Sequence, residues 1–142
     1  MTVVLDASLI IRWLLQDPER ETCTDKATQL MEAVIKGEQP VLQPTHWLVE
    51  VGAVLARESP ATAADDVTML NALELPVTDE PQVLRRGVEM GIELKQHLFD
   101  ALYHAVALEN EDSVLITADQ RYLGAARAKG RIIDLMEWPA TR

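Results

Sequence analysis

Short apolar blocks bounded by turn-forming residues recur along the chain and predict strands. Blocks of this length are typical of buried strands, and "VLIT" at Val114 to Thr117 has no polar alternation, which indicates that both of its faces are covered. The predicted strands are Thr2–Asp6, Pro40–Pro44, Leu75–Thr78, Ser113–Thr117 and Arg131–Leu135. Pro and Gly fall between the periodic segments, where chain turns are expected.

Apolar residues at helical spacing predict a helix in most of the gaps between these strands. Gly37 marks the end of one helix, and Thr45 is the expected N-cap of the next. The predicted helices are Ser8–Gln16, Thr24–Gly37, Thr45–Ser59, Ala63–Leu73, a helix that opens at Pro81 and carries "QVLRRGVEMGIEL", His97–Asn110 and Gln120–Gly130.

Strands separated by helices predict the α/β class, with a parallel central sheet of about four to five strands flanked by helices on both faces. With 142 residues, no internal repeat and no linker, residues 1–142 are expected to form a single domain. In sheets of this kind, ligands bind at the carboxyl ends of the strands. That edge of the sheet is therefore where chemistry is expected.

Composition indicates the cellular compartment of the protein. Cys23 is the only cysteine, so no internal disulfide can form, and no Cys/His spacing resembles a zinc site. No run approaches the ~20 apolar residues that a membrane-spanning helix needs, and the N-terminus has no signal-peptide pattern. We expect a cytoplasmic protein without a membrane partner.

The charge balance weighs against simple electrostatic binding of nucleic acid. The chain carries 13 Lys and Arg against 23 Asp and Glu, a formal net charge of -10. Nucleic-acid binders normally present a basic patch. This objection weakens if part of the acid excess is gathered in a pocket that binds divalent cations, because the bound ions then supply local positive charge.

Two aspartates stand at predicted strand ends. Asp6 ends the first strand, and Asp119 follows "VLIT", so both reach one edge of the sheet if these strands are neighbours. Two carboxylates at such a crevice can form a cation site. The alternative is that each caps the helix that follows, since Asp is a preferred N-cap residue. The sequence leaves both interpretations open.

Two further acids lie on predicted helices. Asp100 lies in "LFDALYHAVAL", where only Asp100 and His104 are strongly polar. A helix that is apolar nearly all round is normally buried, and a buried carboxylate needs a cation, hydrogen bonds or a metal. A pair between Asp100 and His104, four residues apart, is the alternative. Glu50 lies at the border of the apolar stripe in "HWLVEVGAVLA". It is either a fourth acid of the site or a solvated acid near Arg57.

Together these segments resemble the PIN-domain family, and within it the VapC toxins of bacterial type II toxin-antitoxin systems. "VVLDASLIIRWLL" resembles the opening strand and helix of that family, and "WLVEVGAVL" its Glu-Val-containing helix. "FDALYHAVA" is similar to its Asp-Ala-Leu-Tyr helix, and "LITADQRYLGAA" to its Thr-Ala-Asp strand end. The four motifs occur in order and cover nearly the whole chain.

The resemblance implies a single PIN-like domain with an acidic pocket that holds one or two Mg²⁺ or Mn²⁺ ions. Its metal-binding and catalytic residues would be Asp6, Glu50, Asp100 and Asp119. Asp6 and Asp119 would be principal ligands, Asp100 a ligand or the holder of a metal-bound water, and Glu50 the acid that orients or deprotonates the attacking water. Ser8 and Thr117 would support the ligands or contact substrate.

Two positions depart from the family pattern. Ala53 stands where many relatives carry an Asn three residues after the helix Glu, so a polar substrate contact is missing. His104 stands where relatives are commonly apolar, and it could hydrogen-bond Asp100 or join the ligand set. The expected role for His104 is the hydrogen bond to Asp100.

The resulting function hypothesis is a Mg²⁺-dependent endoribonuclease toxin with an RNA substrate, a cognate antitoxin protein and a homodimeric or larger assembly. Basic residues at the rim would hold RNA, and the candidates are Arg12, Arg57, Lys95 and Arg121. The first alternative is a catalytically silent PIN module that binds nucleic acid or a protein partner. The second is a phosphoacceptor or phosphatase domain that uses Asp6, although "DASLI" lacks the second Asp of the haloacid-dehalogenase pattern.

Overall fold

The computed structural model describes residues 1–139 apart from the side chains of residues 20–22, and strands alternate with helices along it. The strands are β1 (Thr2–Leu5), β2 (Gln43–Pro44), β3 (Val77–Thr78), β4 (Ser113–Thr117) and β5 (Ile132–Asp134). The helices are α1 (Ala7–Leu15), α2 (Glu21–Ile35), α3 (Trp47–Glu58), α4 (Ala63–Ala72), α5 (Pro81–Leu94), α6 (Leu98–Glu109) and α7 (Gln120–Ala126). Short 3₁₀ turns lie at Pro18–Arg20, Arg127–Lys129 and Leu135–Glu137.

All strand pairs are parallel. β4 lies between β1 and β5 in a three-stranded sheet, and β2 pairs with β3 in a separate two-stranded ladder. A bridge between Val3 and Val41 connects the two, and the Leu42 N–H donates to the Val3 carbonyl. The strands therefore follow the spatial order β3, β2, β1, β4, β5. The predicted α/β class and parallel sheet are confirmed.

The buried side chain of Gln43 completes the connection where the backbone ladder stops. Its amide nitrogen donates to the Leu5 carbonyl, and its amide oxygen accepts the Leu5 N–H, both at 2.8 Å. One side chain thus satisfies both backbone groups of the last residue of β1. Because Asp6 follows directly, Gln43 helps to hold the chain at the point where it enters the acidic edge.

Helices cover both faces of the central strands. Every residue of β4 is buried, as expected for a strand without polar alternation. Helix α6 packs on β1 and β4, and α5 packs along α6. Gly87 permits the close approach of α5, since a Cβ at this position would lie 2.8 Å from Leu102 Cδ2. The core therefore encloses the helix that carries Asp100.

Several predicted element ends are displaced. Thr45 is not the N-cap of α3, because that helix begins at Trp47 and His46 occupies the cap position without a side-chain cap hydrogen bond. The helix predicted from Thr24 starts earlier, and Gly37 follows its end with a φ of 75°, as a helix-terminating glycine does. The last predicted helix stops at Ala126 and continues as a 3₁₀ turn.

Within residues 1–139, no helix combines the length and the apolar character that crossing a bilayer requires.

Gln43 offers a direct test of the connection between β2 and β1. We expect Gln43→Met to lower the free energy of unfolding by about 2–4 kcal/mol, because two buried backbone groups lose their partner. Urea titration followed by circular dichroism measures this change. The control is Gln82→Met on the exposed face of α5, which is expected to stay within about 0.5 kcal/mol. Equal effects of the two substitutions would contradict the role of Gln43.

Candidate active site

Neighbouring parallel strands deliver Asp6 and Asp119 to one edge of the sheet. β1 pairs with β4 so that Leu5 lies opposite Ile116, and each aspartate follows soon after its strand ends. The carboxyl ends of parallel strands share an edge. The condition set by the sequence, that these two strands be neighbours, is therefore met.

The Asp6 carboxylate is held by hydroxyl groups from both strand ends. Ser8 Oγ donates to Asp6 Oδ1 at 2.5 Å, and Thr117 Oγ1 donates to Asp6 Oδ2. The Ser8 hydroxyl also accepts the Ala118 N–H at 3.1 Å. Ser8 and Thr117, which the family resemblance implied would support the ligands or contact substrate, thus hydrogen-bond Asp6 and fix the orientation of its carboxylate.

Both aspartates also cap the helices that follow them. Asp6 Oδ1 accepts the Leu9 N–H at 3.2 Å, and Asp119 Oδ1 accepts the Tyr122 N–H at 3.1 Å. The capping alternative is therefore correct for both residues. Capping occupies one oxygen of each carboxylate and leaves further lone pairs available, because an ionised carboxylate has about four acceptor sites.

Thr117 links the two aspartates. Its buried hydroxyl donates to Asp6 while it accepts the Asp119 N–H at 2.9 Å. One side chain at the end of β4 therefore sets the position of the Asp6 carboxylate and of the Asp119 backbone. The proximity has an electrostatic consequence, since the charge of Asp119 contributes to the raised pKa of Asp6.

Asp6, Glu50 and Asp100 have raised pKa values. Burial raises the pKa of Asp6 to about 6, against hydrogen bonds that lower it. Burial, with the charges of Asp100 and Asp6, raises the pKa of Glu50 to about 7. The pKa of Asp100 is raised by burial and by the charge of Asp119. Each of these acids responds to another, so the four predicted site residues form one electrostatic cluster.

A cleft opens beside this cluster between α1 and α3. It has a volume of about 610 Å³, and its walls include Ser8, Glu50 and Asp100. Apolar side chains of Ile11 and Val54 form part of its lining. A cleft of this size is typical of small-ligand and cofactor sites. Glu50 and Asp100 therefore face a space that can admit a substrate, whereas Asp6 and Asp119 do not line it.

Two residues near Glu50 are not among the predicted site residues. His46 Nε2 lies 3.9 Å from Glu50 Oε2, and its ring stacks on Phe99 at 5.1 Å. The buried Tyr103 hydroxyl interacts with Glu50 and partly offsets the rise of its pKa, although its geometry is not that of a regular hydrogen bond. The i, i+4 spacing of His46 and Glu50 is a signal in the sequence that could have found the first.

The expected hydrogen bond between His104 and Asp100 is wrong. His104 Nδ1 lies 3.0 Å from the Tyr122 hydroxyl, and Nε2 lies 2.7 Å from the Gly130 carbonyl. Both ring nitrogens are therefore engaged away from Asp100. The spacing of four residues places the two side chains on one helix face, but the ring points toward α7 because that helix supplies a buried partner.

The predicted basic rim is only partly at the site. Arg12 lines the cleft, and Arg121 is near enough to lower the pKa of Asp100. Arg57 and Lys95 are exposed, and no described contact joins either to the acids. Of the four predicted rim residues, only Arg12 and Arg121 therefore lie near the acids.

The donor chemistry fits a hydrated divalent cation. Among the described residues, no Lys or Arg forms an ion pair with Asp6, Asp100 or Asp119, so positive charge here would relieve carboxylate repulsion. Within the same part of the chain, no three His, Cys, Asp or Glu side chains are arranged to hold an ion directly. Mg²⁺ is usually bound by one or two carboxylates and several waters. This arrangement is compatible with that mode.

The raised pKa values predict how stability depends on pH without metal. An acid with a raised folded-state pKa favours folding when protonated, so its contribution is lost as pH rises from about 4 to 7. In EDTA we expect the Tm to fall by about 5 °C between pH 5 and pH 8, and Mn²⁺ to reverse the fall at pH 8. Differential scanning fluorimetry measures both.

Asp6→Asn is the control for this experiment because it removes one of the acids whose pKa is raised. The variant is expected to melt higher than the wild type at pH 8 in EDTA, with a flatter pH profile and a smaller response to Mn²⁺. A wild-type Tm that does not respond to Mn²⁺ at pH 8 would contradict a cation site among these acids.

Comparison with known proteins agrees with this geometry. A search of curated proteins finds no match to the chain. The family model described as PIN domain matches residues 3–128, which include all four acids and the strands and helices that carry them. PIN domains are generally nucleases, and they usually bind divalent metal ions. Because the match spans most of its length, the chain belongs to the PIN-domain family.

Proposed function

We propose that this PIN domain is a metal-dependent endoribonuclease that hydrolyses RNA phosphodiester bonds. The observation that supports the proposal best is the electrostatic cluster of acids at the carboxyl edge of the sheet, beside a cleft. Structural acids are normally solvated or paired, whereas groups with raised pKa values in a cleft are typical of functional sites. The cluster consists of Asp6, Glu50, Asp100 and Asp119.

Asp6 and Asp119 are the residues proposed to hold Mg²⁺ or Mn²⁺ most directly, with Asp100 beside them. A divalent cation supplies charge neutralisation at the phosphate and activation of water. The chain contributes orientation, because Ser8 and Thr117 fix the Asp6 carboxylate while Asp119 is fixed as the cap of α7. Carboxylates held in place before substrate binds need no rearrangement during the reaction.

Glu50 is proposed to orient the attacking water and take its proton. Its pKa of about 7 is close to neutral pH, where a general base is most effective. The carboxylate lines the cleft, and His46 and Tyr103 restrict it from the side of the core. The proton passes from water to the Glu50 carboxylate as the water oxygen attacks phosphorus, and the bond from phosphorus to the leaving ribose oxygen breaks as that oxygen takes a proton from solvent.

The proposed biological role is that of the toxin in a VapBC-type toxin-antitoxin system. The four motifs that resemble VapC toxins support this role, and a cognate antitoxin and a homodimeric or larger assembly would be the protein partners. Helix α5 exposes Leu84, Val88 and Ile92 along one face, at 53%, 42% and 75%. Contiguous exposed apolar side chains are typical of protein interfaces. The face is compatible with either partner.

Cleavage of RNA is the first test of the proposed activity. Purified, partner-free protein is incubated with a mixed pool of single-stranded RNA in Mg²⁺, Mn²⁺ or EDTA. We expect metal-dependent cleavage, and a loss of at least about 100-fold in Asp6→Asn because a principal cation ligand loses its charge. Fragments are resolved on denaturing gels.

Asp112→Asn is the matched control for this loss. Asp112 is an exposed acid at the opposite edge of the sheet, where its carboxylate lies 3.5 Å from the N-terminal amine. Its substitution is expected to leave cleavage unchanged. If wild type and Asp6→Asn are equally inactive while the wild type binds Mn²⁺, the silent PIN module becomes the better interpretation. Cleavage that persists in EDTA would also contradict the proposal.

Growth measurements test the toxin assignment separately. Induced expression of the wild-type chain in bacteria is expected to arrest growth, and Asp6→Asn is expected not to. Co-expression of the cognate antitoxin, sought in a small open reading frame next to the gene, is expected to restore growth and to abolish RNA cleavage by the purified complex. Metal-dependent cleavage without growth arrest would support the nuclease and contradict the toxin role.

A further inference from the structure

His104 is a polar side chain in an otherwise apolar part of the core. It is 0% exposed, on a helix whose neighbouring buried residues are mostly alanine, valine and tyrosine. Its ring makes an edge contact with the Tyr122 ring at a centroid distance of 5.8 Å. Burial of a polar group is costly unless its hydrogen bonds are made. The role of His104 therefore depends on its two hydrogen-bond partners, the Tyr122 hydroxyl and the Gly130 carbonyl.

The partners of His104 determine where its proton lies. The Gly130 carbonyl can only accept, so Nε2 carries the hydrogen and donates to it. Burial lowers the pKa of His104, and the charges of Arg86 and Lys129 lower it further, so the ring is neutral at pH 7. Nδ1 is then an acceptor, and the Tyr122 hydroxyl must donate to it. The hydrogen bonds have a single direction.

These two hydrogen bonds join three segments of the chain. His104 lies one helical turn after Asp100 on α6. Tyr122 lies on α7, and its backbone N–H donates to the Asp119 carboxylate. Gly130, at a φ of 77°, turns the chain between α7 and β5. The imidazole therefore connects the helix that carries Asp100 with the helix that Asp119 caps.

We propose that His104 is a positioning residue that, through Tyr122, sets the separation between Asp100 and Asp119. The importance of these two acids rests on the proposed function, whereas the connection itself rests on the hydrogen bonds described. Tyr122 moves with Asp119 because the two are joined within one helical turn. Loss of the imidazole contact releases the start of α7 from α6, so the distance between Asp100 and Asp119 is no longer fixed.

An apolar residue would fill this position without any need for partners. A leucine or phenylalanine would pack against the Tyr122 ring. It would leave the buried Tyr122 hydroxyl without an acceptor and the Gly130 carbonyl without a donor. A histidine satisfies both groups and fixes the rotation of the tyrosine. Groups that hydrogen-bond a metal ligand directly typically change metal affinity or activity by about 10–100-fold when they are removed, and His104 acts one contact further out, so the low end of this range is expected.

Tyr122→Phe tests the connection because it deletes only the hydroxyl. The chain is studied at pH 7.5 with two readouts, the Kd for Mn²⁺ from calorimetry and hydrogen exchange of residues 118–126 in EDTA. We expect the Kd to rise about tenfold, and exchange at the start of α7 to accelerate relative to strands β1 and β4. Asp119→Asn is measured beside it as the variant that removes the acid itself.

Ser113→Ala is the control for a loss of stability alone. The Ser113 hydroxyl is also buried on the α6 side, and it donates to the Ala107 carbonyl at 2.9 Å, but it lies at the other edge of the sheet. This variant is expected to lower the Tm while it leaves Mn²⁺ affinity and exchange of α7 unchanged. A positioning role and a merely structural role are thereby separated.

Substitution of the histidine gives a second measurement if Tyr122→Phe does not fold. His104→Phe removes both hydrogen bonds and is expected to weaken Mn²⁺ binding at least as much. His104→Gln, which keeps one donor and one acceptor, is expected to restore part of the affinity. Wild-type affinity and wild-type exchange in the Phe variants would overturn the proposal. If the wild type binds no Mn²⁺, the proposed metal site fails, and hydrogen exchange alone decides whether His104 positions α7.

Discussion

The hydrogen bonds of the Thr117 hydroxyl are the interaction on which the acidic edge depends. Thr117 ends β4, donates to the Asp6 carboxylate and accepts the Asp119 N–H, so it joins the ends of two neighbouring strands. This geometry requires β1 and β4 to be parallel and in the observed register, with Leu5 opposite Ile116. A slip by one residue would turn the hydroxyl to the opposite face of the sheet. The buried sheet therefore serves to fix the spacing of its terminal carboxylates.

Gathering these carboxylates has an energetic cost that the fold offsets in part. Burial and mutual repulsion raise the pKa values of Asp6, Glu50 and Asp100. Helix capping by Asp6 and Asp119 recovers some stability, because each satisfies a backbone N–H at the start of a helix. The same two residues thus serve folding and the proposed chemistry. Functional sites of this kind often lower the stability of the folded protein.

Polar side chains with long-range partners join the separate layers around this edge. Gln43 connects β2 to the last residue of β1, and His104 connects α6 to α7 and to the turn at Gly130. Each is buried and has its hydrogen bonds satisfied by groups distant in sequence. Networks of this kind specify orientation more sharply than apolar packing does.

The sequence by itself determined the order of strands and helices, the parallel sheet and the position of Asp6 and Asp119 at strand ends, because hydrophobic periodicity and turn residues are local signals. The same signals placed Asp100 and Glu50 on helices. Only the tertiary structure decided that β2 and β3 shrink to two residues each, that α3 begins at Trp47, and that His104 binds Tyr122 instead of Asp100. Helical spacing tells which residues share a face. The partner of a buried polar side chain depends on which element packs against that face, and this is set by contacts between residues far apart in the chain.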